Sequence, residues 1–246
     1  MKFIGIDLGW VSGASGLCCL NWQDNKLEIL ELTTKLEIEA ILAWIDSWVL
    51  SQEPAIVAVD APTIIPNQTG MRLPDKLTHK HFGRYHAGCY PANLNRPFAD
   101  RTVGLGASLT AKKFIHAPTI EPQKLGRYQI EVFPHPATIN LFNLEKILKY
   151  KKGKLAERKA ELTKLRGYIY NILPKLEPSL NLNCSSQKAV VPIIGDRLNG
   201  KELKTIEDKL DSLICAYVAA HWWYWGEAKN LVLGDVNTGY IIVPAP

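Results

Sequence analysis

A chain of 246 residues, 47% hydrophobic and 22% charged, has the ordinary composition of a globular protein and is long enough to bury a sizeable core. Its net charge of +5 permits a polyanionic partner without demanding one, and five cysteines with no CxxC pair argue against a disulfide framework and for reduced thiols. The most apolar stretch, 210–225, contains Asp211 and His221 and is too short to span a bilayer; the first strand starts too early to leave room for a signal peptide, so a cytoplasmic location is expected.

Residues 3–7, 16–22 and 27–33 read as three successive strands, the last two joined by the turn-forming Gln23-Asp24-Asn25. Leu36, Ile38, Ile41, Leu42, Ile45 and Val49 then recur at helical spacing, and Pro54 ends the helix just before an apolar strand at 55–59. Prolines chop the next stretch, 61–128, into loops and short helices. A loop-rich excursion of that length inside one domain is more often a lid or binding wall than a plain connection. Residues 129–133 predict a further strand, closed by Pro134-His135-Pro136. Helices are expected at 154–173 and 206–225, separated by a polar loop through 181–188. Short apolar runs at 231–233 and 240–243 close the chain. The absence of repeats and linkers predicts a single domain over 1–246.

Acidic residues stand where the pattern predicts apolar ones. Asp7 ends the first strand between two glycine-bearing dipeptides, and Asp60 ends the 55–59 run just before Pro62. A carboxylate at the end of a buried strand needs a reason, and in open α/β sheets ligand sites gather beyond the carboxyl ends of the strands. Asp208 and Asp211 lie three apart near the start of the last helix and so share a face. Thr205-Ile206-Glu207-Asp208 also fits a capping box, in which Asp208 merely satisfies the first turn, but that leaves Asp211 unexplained. Converging carboxylates repel unless a cation or a shared proton lies between them, which points to Mg2+ or Mn2+ and to phosphate chemistry.

Other polar residues are less decisive. Glu131 alternates with Ile130 and Val132, so it is either a catalytic group or the exposed face of an edge strand. His135, held between two prolines, suits a structural or a proton-transfer role. Arg72, His79, Lys80 and Arg84 belong to a donor-rich segment suited to phosphate or base recognition, or simply to a solvated surface. His79 and His81 fall on different helix faces, which disfavours zinc. Lys149, Lys151, Lys152, Lys154, Arg158 and Lys159 form the densest basic run, either a solvated helix face or a grip on a phosphate backbone.

Gly5-Ile6-Asp7, Val59-Asp60-Ala61-Pro62, Glu131-Val132-Phe133-Pro134-His135-Pro136 and Asp208-Lys209-Leu210-Asp211 resemble, in that order, the domain of unknown function 429 family, described as predicted nucleases of the ribonuclease H-like fold. The resemblance covers nearly the whole chain. It implies an α/β fold with a five-stranded mixed sheet, the first three strands antiparallel, flanked by helices. It further implies that Asp7, Asp60, Asp208 and Asp211 are metal carboxylates, as in Holliday-junction resolvases; Glu131 has no counterpart there. The expectation is a two-metal nuclease acting on DNA or RNA, with Mg2+ or Mn2+ ions about 3.5–4 Å apart, and a homodimer if two strands are cut. Two alternatives stand beside it. One is a single-copy relative of actin-like ATPases and sugar kinases, which share the glycine-aspartate-glycine strand end. The other is a nucleic-acid-binding protein with a vestigial acidic site.

Overall fold

The first strand, β1 (Lys2–Asp7), is covered on both sides, and its alternation sorts the whole molecule into layers. In the computed structural model, which describes residues 1–182 and 190–246, Ile4 and Ile6 face one apolar layer with Ile41, Trp44 and Ile45 of α1 (Ile38–Trp48) and Leu105 and Leu109 of α3 (Ala99–Ala111). Phe3 faces the other layer, with Leu162, Leu165 and Ile169 of α5 (Leu155–Ile172) and the apolar length of α6 (Gly200–Trp225). The arrangement is helix, sheet, helix.

Strands β2 (Ser15–Gln23) and β3 (Lys26–Lys35) run antiparallel to β1 and to each other, as the sequence predicts. Their hairpin turns through Asp24 and Asn25 at φ of 51° and 58°, a conformation these two residue types tolerate. On the other side of β1, β4 (Ala55–Val59) and β6 (Arg127–Glu131) continue the sheet in parallel. The five-strand expectation needs correction: the sheet has seven strands in the order β5-β6-β4-β1-β2-β3-β7. The two additions, β5 (Ile115–His116) and β7 (Leu180–Asn181), are two-residue edge strands, too short to leave an alternating pattern. The 61–128 segment does break into loops and short helices, α2 (Leu73–Phe82) and α3, besides β5. The chain closes with a separate hairpin of β8 (Asn230–Asp235) and β9 (Gly239–Pro244).

Two helices differ from the sequence expectation. Pro134-His135-Pro136 does not merely close a strand; it opens α4 (Pro134–Leu141), because proline in the first turn has no intrahelical N–H to lose. Helix α6 begins six residues earlier than the apolar pattern indicates. Its cap is Asn199, whose side chain accepts from the Lys201 and Glu202 amides at 2.9 and 3.0 Å, while Glu202 accepts the Asn199 amide at 2.8 Å. Asp208 is therefore well inside the helix, and the capping account of it is overturned. The expected 181–188 loop lies largely outside the described residues; Asn181 itself pairs in β7.

Two glycines let α6 lie directly on the sheet. A Cβ on Gly5 would overlap the Ser212 carbonyl and the Ala216 amide, and one on Gly16 would overlap the Asp208 carbonyl. Among the described residues no helix is long and apolar enough to cross a membrane, and Cys18, Cys19, Cys89 and Cys215 form no disulfide.

Candidate active site

Strand parity and the two glycines gather the acids. Gly5 and Phe3 face α6, so Asp7, two residues beyond Gly5, faces it as well. In β4, Ile56 and Ala58 face the same layer, which sends Asp60 to that side. The parallel register places Ile6 beside Val59, and the Asp60 amide donates to the Ile6 carbonyl at 2.8 Å. Asp7 and Asp60 thus stand side by side at the carboxyl ends of adjacent parallel strands, and α6 brings Asp208 to them. Asp7, Asp60 and Asp208 converge closely enough for the other carboxyls to act on the charge of Asp7. Carboxylates gathered this way repel unless a cation or a proton lies among them.

The electrostatics agree. Burial raises the Asp7 carboxyl well above its ordinary range; Lys151 opposes the shift, and repulsion from Asp211, Asp60 and Asp208 reinforces it. Burial likewise raises Asp60, to about 7, against the pull of Lys151. Asp208 is raised by burial and held back by Lys204. These three carboxyls line a cavity of about 950 Å³, walled by Trp10, Tyr90, Lys151, Lys152 and Lys204 among others.

Asp211, the fourth expected acid, is fully buried behind them. It accepts a hydrogen bond from the Tyr150 hydroxyl at 2.8 Å, and Lys151 Nζ lies 2.7 Å from its Oδ2. That contact is an ion pair by distance but is misaligned as a hydrogen bond, so Oδ2 is left without a hydrogen-bonding donor. Burial works against the Lys151 charge, yet Asp211, Asp7 and Asp60 together raise its pKa well above the ordinary lysine value. Lys151 and Lys204, whose Nζ lies 2.5 Å from Asp208 Oδ1, are cations of the cluster.

Glu131 is not exposed: it lines the same cavity, and its charge helps raise Asp60, but its own partner is an arginine. With Gln129 it occupies the opposite parity to Ile130, and it is 4% exposed. Arg72 grips it with two bonds, 2.8 and 2.6 Å, and also holds Asp75 at 2.8 Å. Burial raises Glu131 to about 7 despite Arg72. For Arg72, burial is outweighed by Glu131 and Asp75, which raise its pKa. We read the pair as ionised, since the guanidinium keeps its charge and both bonds favour the carboxylate. Arg72 is therefore a structural clamp at the cavity wall, with Asp75 also accepting the Ala92 amide at 3.0 Å.

His79 reaches the cavity, its Nε2 2.8 Å from the Cys89 carbonyl oxygen. Lys80 and Arg84 are exposed and do not line it; the Arg84 guanidinium lies over the Tyr85 ring at 4.6 Å. His135 lines the cavity between the rings of Phe133 and Tyr150, 5.7 and 5.6 Å away. Burial lowers its pKa to about 4, aided by Lys151, so it is neutral near pH 7, with a buried Nδ1 that has no partner. The sequence reading missed Trp10, Tyr90, Tyr150 and Lys204, and it placed Asp75 only within the polar segment 72–86. Lys151 was legible only as one member of a basic run; Leu155 begins α5, so it precedes the helix rather than lining its solvated face.

A divalent cation is tested by the donors present. Asp7, Asp60 and Asp208 supply hard oxygens, the ligands that Mg2+ and Mn2+ take, and a cation among them would relieve their mutual repulsion. Among the described residues, however, no three His, Cys, Asp or Glu side chains are arranged as a ready-made metal cage. The chemistry fits, and Lys151 and Lys204 supply positive charge in this arrangement.

Over residues 5–237 the chain matches the family described as "Protein of unknown function (DUF429)", and it belongs to that family. No curated protein and no solved structure matches it.

Proposed function

We propose that this protein is a metal-dependent phosphodiesterase acting on nucleic acid, with a ribonuclease H-like fold and a cytoplasmic location. The observation that carries the reading is the convergence of Asp7, Asp60 and Asp208 on one lysine-bordered cavity. The strand order β3-β2-β1-β4-β6 within the sheet, with the first three strands antiparallel, supports the fold. Asp7, Asp60 and Asp208 would hold Mg2+ or Mn2+, which, when bound, supplies a hydroxide nucleophile and stabilises a leaving oxygen. Lys151, Lys152 and Lys204 attract and orient the phosphodiester. His135, neutral near pH 7, accepts a proton at a ring nitrogen. Asp211 fixes Lys151 from behind.

A second reading has its own observation. Lys151 and Lys204 already pair with acids of the site, as they would in a binding protein whose metal site is vestigial. A manganese-soaked crystal with anomalous scattering decides between them, together with cleavage assays on single- and double-stranded DNA and RNA. Anomalous peaks on Asp7, Asp60 and Asp208 with Mn2+-dependent cleavage support the phosphodiesterase. An ordered site without peaks and without cleavage moves the conclusion to the binding protein.

A further inference from the structure

The cavity has an aromatic wall that metal and phosphate chemistry do not use. Trp10 lies in the loop after β1, three residues beyond Asp7 and so within about 11 Å of chain from it. That loop is fastened: the Gly9 amide donates to Ser15 Oγ at 3.0 Å, and Arg101 Nε donates to the Gly9 carbonyl at 2.8 Å. Behind the indole, Phe98 sits at 4.4 Å between ring centroids, within a small core of Ile65, Ala92, Phe98 and Ala99. Tyr90 approaches the indole edge-on at 6.1 Å and is itself covered by the Arg96 guanidinium at 5.1 Å. Trp10 is half-buried and Tyr90 is 58% exposed, and both line the cavity. Large rings braced from behind, and not consumed by the core in front, are what a stacking surface requires.

Lys151, Lys152 and Lys204 also line the cavity. One wall therefore suits a π-face and another suits a phosphate, with the carboxyls of Asp7, Asp60 and Asp208 in the same space. Paired bases in a duplex already have both faces occupied by their neighbours, and they cannot reach an aromatic shelf inside a cavity without unstacking. An unpaired base can.

We propose that the substrate is a single-stranded polynucleotide, or the unpaired end of one, with one base stacked on the Trp10–Tyr90 shelf and the adjoining phosphate between the lysines and the acids. This rests on the phosphodiesterase reading. Recognition through a π-face is indifferent to base identity, so cleavage is expected to be strand-selective and sequence-tolerant.

The test uses the full chain and short fluorescein-labelled oligonucleotides of DNA and of RNA, each single-stranded or annealed to its complement. Binding is read by anisotropy in the Asp60→Asn variant, which prevents turnover, and cleavage by the unmodified protein in Mn2+. Single strands are expected to bind at least about tenfold tighter than duplexes. Trp10→Leu and Tyr90→Ala are each expected to weaken single-strand binding by roughly five- to a hundred-fold, the range for one stacked base, while Trp10→Phe retains most of it. Tyr90→Ala, at an exposed ring, guards against a Trp10→Leu variant that fails to fold. Equal affinity for duplex, or wild-type affinity in both truncations, overturns the inference while leaving any Mn2+-dependent cleavage to stand for the phosphodiesterase. Failure to cleave any oligonucleotide, with aromatic-dependent binding intact, removes the phosphodiesterase reading and keeps the single-strand site.

Discussion

Lys151 Nζ lies 2.7 Å from Asp211 Oδ2, and the carboxylate is fully buried while the lysine side chain keeps 31% of its exposure. A charge pinned on one side and open on the other can leave without unfolding anything. If Lys151 and a divalent cation serve the same carboxylates, removing the lysine must hurt the protein most when no cation is present. Lys151→Met is expected to destabilise the metal-free protein by about 3 kcal/mol, the cost of stranding a buried charge. Mn2+ should then raise the melting temperature of the variant more than that of the wild type. Equal shifts in calorimetry would show that lysine and metal do not share the acids.

Arg72 tests a different boundary, between a recognition residue and a clamp. Its guanidinium answers two buried carboxylates at once, Glu131 and Asp75, and also donates to the Ile64 carbonyl at 2.9 Å. Arg72→Met should cost about 3–5 kcal/mol in urea unfolding, and Arg72→Lys should recover only part of that, since an ammonium cannot reproduce the fork. A variant of wild-type stability with weakened oligonucleotide binding would return Arg72 to the role first expected of it.

Gly5→Ala puts a methyl group into the backbone of α6 at Ser212 and Ala216. Neither atom can rotate away, so the helix must shift. The expected loss is about 3 kcal/mol or more, at the upper end for overpacking. Because α6 carries Asp208, a variant that still folds should also lose Mn2+-dependent activity. Unchanged chemical denaturation would mean that the helix does not lie on β1 as described.

His221 supplies the pH dependence. Its Nδ1 lies 2.9 Å from Asn230 Oδ1 in the core, and burial lowers its pKa from 6.5 to about 4. The unfolded chain takes up a proton below pH 6.5 that the folded chain refuses until about pH 4. This contribution to stability is therefore present above 6.5 and disappears as the pH falls through that window. Wild type should lose on the order of 3 kcal/mol more than His221→Gln between those limits, read from denaturant midpoints. Parallel curves for the two proteins would refute the assignment.

Much of the architecture is legible in the sequence because buried strands and amphipathic helices are local patterns. The runs ending in Asp7 and Asp60 and the Asp24-Asn25 turn needed no tertiary knowledge. What escaped is what only distant chain segments define. Lys151 is chemically identical to its neighbours in a basic run, and nothing local distinguishes the lysine that meets Asp211. Asp211 was expected beside Asp208 because both share a helix face, but one turn of helix carries it out of the cavity and under Tyr150. The start of α6 was misplaced because its first turn is polar and its true cap, Asn199, precedes the apolar periodicity. The exposed-edge alternative for Glu131 failed for the same kind of reason, since Arg72, which is buried with it, lies 59 residues away.

Asp60 and Asp208 line one cavity because α6, far along the chain from β4, lies on the sheet. At about 5–20 residues per second, a ribosome needs roughly 7–30 s to pass from one aspartate to the other. Throughout that interval the nascent sheet presents Asp7 and Asp60 without Lys151's positive charge at first, and without α6 until the end. The acidic cluster is thus assembled only once α6 has been made, and any fragment ending before α6 carries the strands of the site without Asp208.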